Sequence, residues 1–128
     1  MKYLSEYTNE AVTKALDNAG AFFAFSNEQF DEAKKENVKY VSMGMGMICP
    51  KENARQLEED LDNAIKAGIA QDITENGLEA IIKRELNNHE AYYTRDLTST
   101  IEALSAYPIT AEDIKKVFSN QNYIIANN

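Results

Sequence analysis

One histidine and one cysteine, His89 and Cys49, bound the acid–base and covalent chemistry open to this 128-residue chain. An imidazole oriented by a carboxylate serves as a general base, and His89 precedes Glu90 in the polar run Asn87-Asn88-His89-Glu90. On a strand, however, neighbouring side chains point to opposite faces, which would turn Glu90 away. Cys49 would meet His89 only if their strands pair, giving a Cys–His dyad. No serine or cysteine has the spacing of a known nucleophile motif. The plain alternative is a helix terminus, with Asn87 or Asn88 in the left-handed position and His89 bonding nearby carbonyls. No catalytic residue is assigned, and His89, Glu90 and Cys49 stand as an alternative pocket for a small enzyme or ligand-binding protein. One Cys and one His cannot supply a standard zinc set, and no segment has the alternating acids of a calcium loop. No metal and no cofactor are expected. Met43-Gly44-Met45-Gly46-Met47 lacks both the three-glycine dinucleotide fingerprint and the Gly-Lys-Ser/Thr of a phosphate loop.

Charge is the stronger signal. Lys plus Arg number 13 and Asp plus Glu 21, a formal net charge of −8. Residues 52–79 hold eight carboxylates against Arg55 and Lys66, which accounts for −6 of that total. Glu58, Glu59, Asp60 and Asp62 are the densest part. Such a surface could steer toward a basic nucleic-acid channel of another protein and occupy it. The alternative is a solvated helix face, laced by Arg55–Glu59 and Asp62–Lys66 pairs four residues apart. The like-charged pair Glu58 and Asp62, also four apart, gives a purely structural helix nothing. The same charge disfavours direct binding to nucleic acid or to an anionic membrane. Tyr93 and Arg95 are candidate interface anchors, because an exposed Tyr beside Arg is the composition of interface hot spots. Phe22, Phe23 and Phe25 are assigned to the core.

These residues need a scaffold, and the chain length allows one domain, 1–128, able to bury roughly two thirds of its unfolded surface. The composition, 44% hydrophobic and 27% charged, is that of an ordinary globular protein. Residues 1–6 show no leader pattern, and no apolar run approaches the ~20 residues that span a bilayer. A lone cysteine fits a reducing compartment, and the expected location is cytoplasmic.

Periodicity predicts a helix over 9–19 capped by Thr8 and stopped by Gly20, then a strand over 21–25. A helix capped by Ser26 and Gln29 follows to about residue 36. A strand over 38–49 places Met43, Met45 and Met47 on one face. Helices follow over 50–67, ended by Gly68, and over 75–86, capped by Thr74. A third strand is read over 89–94. Helices opened by Asp96 and by the Thr110–Asp113 pair complete the chain, with a loose tail over 121–128. The fold class is α+β: five or six short helices packed on a small, about three-stranded, mainly antiparallel sheet.

Three stretches together resemble a family of small uncharacterised proteins of bacterial phages and mobile elements. They are Phe22-Phe23-Ala24-Phe25-Ser26-Asn27-Glu28-Gln29-Phe30, Ser42-Met43-Gly44-Met45-Gly46, and Asn87-Asn88-His89-Glu90 with Tyr93-Thr94-Arg95-Asp96. The resemblance carries no activity and no catalytic residue. Ala91 stands where a cysteine is expected after Asn-His-Glu. What the resemblance implies is context: accessory proteins of this kind are often non-enzymatic and many inhibit host defence. The expectation is a non-enzymatic, anti-CRISPR-like inhibitor. Its partner would be a host protein with a basic nucleic-acid-binding surface, such as a CRISPR effector nuclease. Self-association is a further option.

Overall fold

Helix α1 (Leu4–Ala19) starts five residues before its apolar stripe demands, because Glu6 closes its first turn. The Tyr3 N–H donates to the Glu6 carboxylate at 2.7 Å, and the Glu6 N–H donates to the Tyr3 carbonyl at 3.0 Å. Thr8, expected as the cap, is instead buried inside the helix. Gly20 ends α1 in the left-handed conformation, as expected. This computed structural model describes the backbone of residues 1–127 and the side chains of residues 1–120. The chain divides into two compact units, Lys2–Gly68 and Ile69–Asn128, with the boundary inside helix α3 (Ala54–Asn76).

The first unit carries the sheet. Its strands β1 (Phe22–Phe23), β2 (Tyr40–Gly44) and β3 (Met47–Pro50) lie in the order β1-β3-β2, all antiparallel. The α+β class and the three antiparallel strands are as expected. The single strand over 38–49 is not: it folds back on itself as the β2–β3 hairpin. Met45 and Gly46 form a two-residue loop with φ of 53° and 81°, the backbone of a tight hairpin turn. Met43 and Met47 still pack on the core of Ala15, Ala19, Cys49 and Leu57, whereas Met45 sits 95% exposed at the tip. Helix α2 (Asn27–Ala33) is opened by Ser26, which accepts from the Gln29 N–H at 3.2 Å. Its Phe30 ring packs against Phe22 and Tyr40.

Gly68 does not stop a helix. Helix α3, reached through a 3-10 turn at Lys51–Asn53, runs through it to Asn76. A Cβ at Gly68 would overlap the Thr8 Cγ2 methyl and press on Leu4 of α1. The glycine is there for close helix approach. The break comes at Gly77, with φ 78° and ψ 155°. Thr74, expected to cap the next helix, lies inside α3 and donates to the Ala70 carbonyl at 2.9 Å.

The second unit is helical among the described residues: the end of α3, then α4 (Leu78–Asn88), α5 (Ala91–Thr94), α6 (Thr98–Ala103) and α7 (Ala111–Asn127). That makes seven α-helices. Helix α4 is the element on which α5, α6 and α7 all pack, with Ile81, Ile82 and Leu86 buried beside Leu104 and Ile114. The third strand expected over 89–94 is absent; those residues are the α4 terminus and the single turn α5. Glu90 and Arg95 bracket that turn with φ of 54° and 63°, outside the extended backbone of a regular strand. The Thr110–Asp113 capping box forms as expected, with reciprocal bonds of 2.9 and 3.1 Å. Residues 121–128, expected as a loose tail, fall outside the described side chains, and Asn128 lies wholly outside the described residues.

Alanine outranks glycine by about 1 kcal/mol in a helix interior, but overpacking costs roughly 1–3 kcal/mol. Gly68→Ala is therefore expected to lower stability in urea unfolding, because the β-branched Thr8 has little freedom to yield. A gain in stability would contradict the close approach of α1 and α3.

Candidate functional site

A fully buried carboxylate organises the second unit. Asp72 sits on the inner side of α3, one turn after Ile69. Arg84 on α4 meets it with two parallel bonds, Nη1 to Oδ1 at 2.9 Å and Nη2 to Oδ2 at 3.0 Å. The Tyr107 hydroxyl donates to Oδ2 at 2.5 Å and the Asn76 amide to Oδ1 at 2.8 Å. The Arg84 Nε donates to Glu85 Oε1 at 2.9 Å, and the other Glu85 oxygen faces His89 Nε2 at 3.4 Å. Burial favours the neutral acid at Asp72, but the bonds from Arg84, Tyr107 and Asn76 outweigh it and hold the carboxyl below its ordinary value. Burial, with Asp72 beside it, pushes the Tyr107 phenol well above its usual range. Burial opposes charge on Arg84 too, yet Asp72, Tyr107 and Glu85 keep it a cation.

Nothing in the sequence reading singled this network out; Asp72 entered only as one acid in the acidic window. Its position among Ile65, Ile69 and Ile73, on an apolar face of α3, was the available signal. Asp72 therefore does not belong to the acidic surface.

The predicted partner-binding acids fall into two groups. Glu58, Glu59 and Asp62 are exposed on α3 in the first unit. Asp60 is half-buried, turned off that arc, accepting from Gln56 Nε2 at 2.9 Å. The Asp62–Lys66 rung of the expected ladder forms at 2.9 Å. In the second unit, Tyr93 stands 90% exposed on α5 and Arg95 is exposed at its end. Tyr92 turns the other way, with its ring stacked on Phe118 at 5.4 Å.

Of the alternative pocket, Cys49 lies in the first unit and His89 and Glu90 in the second. His89 caps α4, half-buried against Glu85, and Glu90 is exposed in the left-handed conformation. Cys49 lies on β3, where its thiol donates to the Pro50 carbonyl at 3.4 Å. Burial pushes that thiol up, away from the reactive thiolate. The strand read over residues 89–94, on which a Cys49–His89 dyad depended, is absent: His89 and Glu90 form a turn and Ala91–Thr94 the helix α5. Among the described residues no group of three His, Cys, Asp or Glu side chains is placed to hold a metal ion, and no helix is long and apolar enough to cross a membrane.

The assignment of all three phenylalanines of residues 22–25 to the core is corrected. Phe22 packs inward, whereas Phe23 is 50% and Phe25 74% exposed. The two-residue strand period carried this signal, since 23 and 25 share the face opposite 22 and 24.

A family of unknown function, DUF7659, has a model that matches residues 4–122. No curated protein and no solved structure matches.

Removing one partner of a buried ion pair costs about 3–5 kcal/mol, whereas replacing both with apolar residues is often near neutral. Urea unfolding should show Arg84→Met strongly destabilised and Asp72→Leu/Arg84→Met less so; a double variant worse than the single would contradict the pairing. The pH dependence has a fixed sign. Asp72 binds its proton more weakly when folded than at the unfolded value of about 3.9, so its contribution is complete above that value. The contribution fades as pH falls through the lower folded value. Thermal melts of Asp72→Asn should show a shallower acid decline than the parent, and an equally steep decline would count against the network.

Proposed function

This chain belongs to DUF7659, a family of unknown function matched over residues 4–122, and we propose that it is a non-enzymatic interaction protein encoded by a phage or mobile element. It binds a host protein whose own surface is basic because it handles nucleic acid, and so inhibits it in the host cytoplasm. The observation that carries this reading is the exposed run Glu58, Glu59 and Asp62 on α3, opposed locally by Lys66. Carboxylates on a rigid helix offer a basic groove the charge it normally meets on phosphates, and they speed encounter through long-range attraction. Tyr93 with Arg95 supplies a separate candidate anchor on the other unit, a large aromatic side chain held out on a single helical turn. The alternative, a ligand or catalytic site around His89, Glu90 and Cys49, draws less support. The thiol is buried and raised, and His89 is engaged by the carboxylate of a structural network.

A CRISPR effector nuclease is the partner to assay first. Binding by Glu58→Gln/Glu59→Gln/Asp62→Asn should be weaker by roughly tenfold or more at low salt, with the difference shrinking at high salt. Unchanged, salt-insensitive binding by that variant would refute the acidic-face reading.

A further inference from the structure

Lys39 and Lys51 stand opposite each other at the open end of the β2–β3 hairpin. The ladder pairs Tyr40 with Pro50, and one step further the Lys51 N–H donates to the Lys39 carbonyl at 2.8 Å. That bond makes the two residues direct antiparallel neighbours, about 5.5 Å apart at Cα. Buried Pro50, its φ fixed by the ring, and fully buried Cys49 hold the backbone beside them. Like charges directly opposite across a ladder are destabilising, and a chain with 21 acids could supply a carboxylate to offset them. It does not. Lys34, Lys66, Lys83 and Lys115 each meet a carboxylate, whereas among the described residues Lys39 and Lys51 form no ion pair. Both line a depression of about 540 Å³ in the first unit, with Asn37, Val38 and Glu52.

We propose that this depression binds a sugar phosphate, with the phosphate monoester held between the Lys39 and Lys51 ammoniums. Two point charges with three donors each match a group of about −1.5 to −2 better than they match one carboxylate. Binding also removes the repulsion between the opposed lysines. The volume falls within the roughly 300–1,000 Å³ of small-molecule sites and leaves room beyond the phosphate for an organic body. Glu52, ionised, only accepts hydrogen bonds and repels a second phosphate, so the part of the ligand beside it donates, as a hydroxyl does. The Asn37 amide both donates and accepts. Among these lining residues Val38 alone is apolar and none is aromatic, so a nucleobase would find nothing to stack on. The chain carries −8 overall, but the depression sets two ammoniums against one carboxylate. An anion is attracted locally and opposed at long range, which makes the affinity modest.

Amide NMR titrations of the full chain at constant ionic strength test this with three probes: ribose 5-phosphate, inorganic phosphate and ribose. Ribose 5-phosphate should shift the amides of residues 37–39, 51 and 52 saturably between about 0.1 and 20 mM. Inorganic phosphate should move the same amides with an affinity weaker by roughly threefold or more, and ribose should move none. Lys39→Gln and Lys51→Gln should each weaken ribose 5-phosphate binding roughly tenfold or more. Circular dichroism checks that each variant folds, and if one does not, the other decides. The absence of a saturable shift at these amides would overturn the proposal, as would a folded lysine variant that binds like the parent. Inorganic phosphate binding as tightly as ribose 5-phosphate would overturn the assignment to a sugar phosphate. The outcome is independent of the acidic face, because Glu58→Gln/Glu59→Gln/Asp62→Asn leaves both lysines in place.

Discussion

Asp72 and Arg84 bring opposite charges together where water does not reach, and the second unit is arranged around that requirement. A carboxylate and a guanidinium each lose several kcal/mol of hydration on burial, and only close, multiply bonded pairing returns it. The geometry supplies this: two parallel Arg–carboxylate bonds, a Tyr107 hydroxyl and an Asn76 amide on the acid, and Glu85 on the remaining guanidinium edge. Three features of the chain serve it. Helix α3 passes through Gly68 to carry Asp72 onto the inner side of the second unit. The break at Gly77 turns the chain so that Arg84, twelve residues on, can return to Asp72. The segment after α6 brings Tyr107 inward to close the remaining side.

Local signals were legible where the decisive physics is local. The caps at Ser26 and at Thr110–Asp113, the stop at Gly20 and the apolar stripes of α1, α4 and α7 are set within four or five residues, and the structure has them. At Gly68 and Asp72 a distant contact decides, whereas the 38–49 run and the start of α1 turn on local backbone that the residue types do not announce. Gly68 reads as a helix stop unless Thr8 is known to press against it. The 38–49 run reads as one strand unless Met45 and Gly46 are known to take positive φ together. Residues 89–94 have strand-like tyrosines and threonine, yet Ala91 is buried in a helical turn flanked by left-handed Glu90 and Arg95. The Asp72–Arg84 pair joins two helices across a break. No spacing rule within a single element marks it.

For function, the same network separates residues that hold the fold from residues that are displayed. Asp72, Glu85 and, at the margin, the half-buried His89 belong to the first class. Glu58, Glu59 and Asp62, Tyr93, and the Phe23–Phe25 pair belong to the second. The proposed interaction role rests on the displayed class.

The interaction at the root of this account is observable in solution. Nitrogen-15 NMR of the Arg84 guanidinium reports its bonding directly, because a forked, buried pair restricts rotation and shields the protons from exchange. Resolved, slowly exchanging Arg84 Nε and Nη signals are expected near neutral pH, and they should collapse in Asp72→Asn. A single averaged, rapidly exchanging Arg84 signal in the parent chain would contradict it.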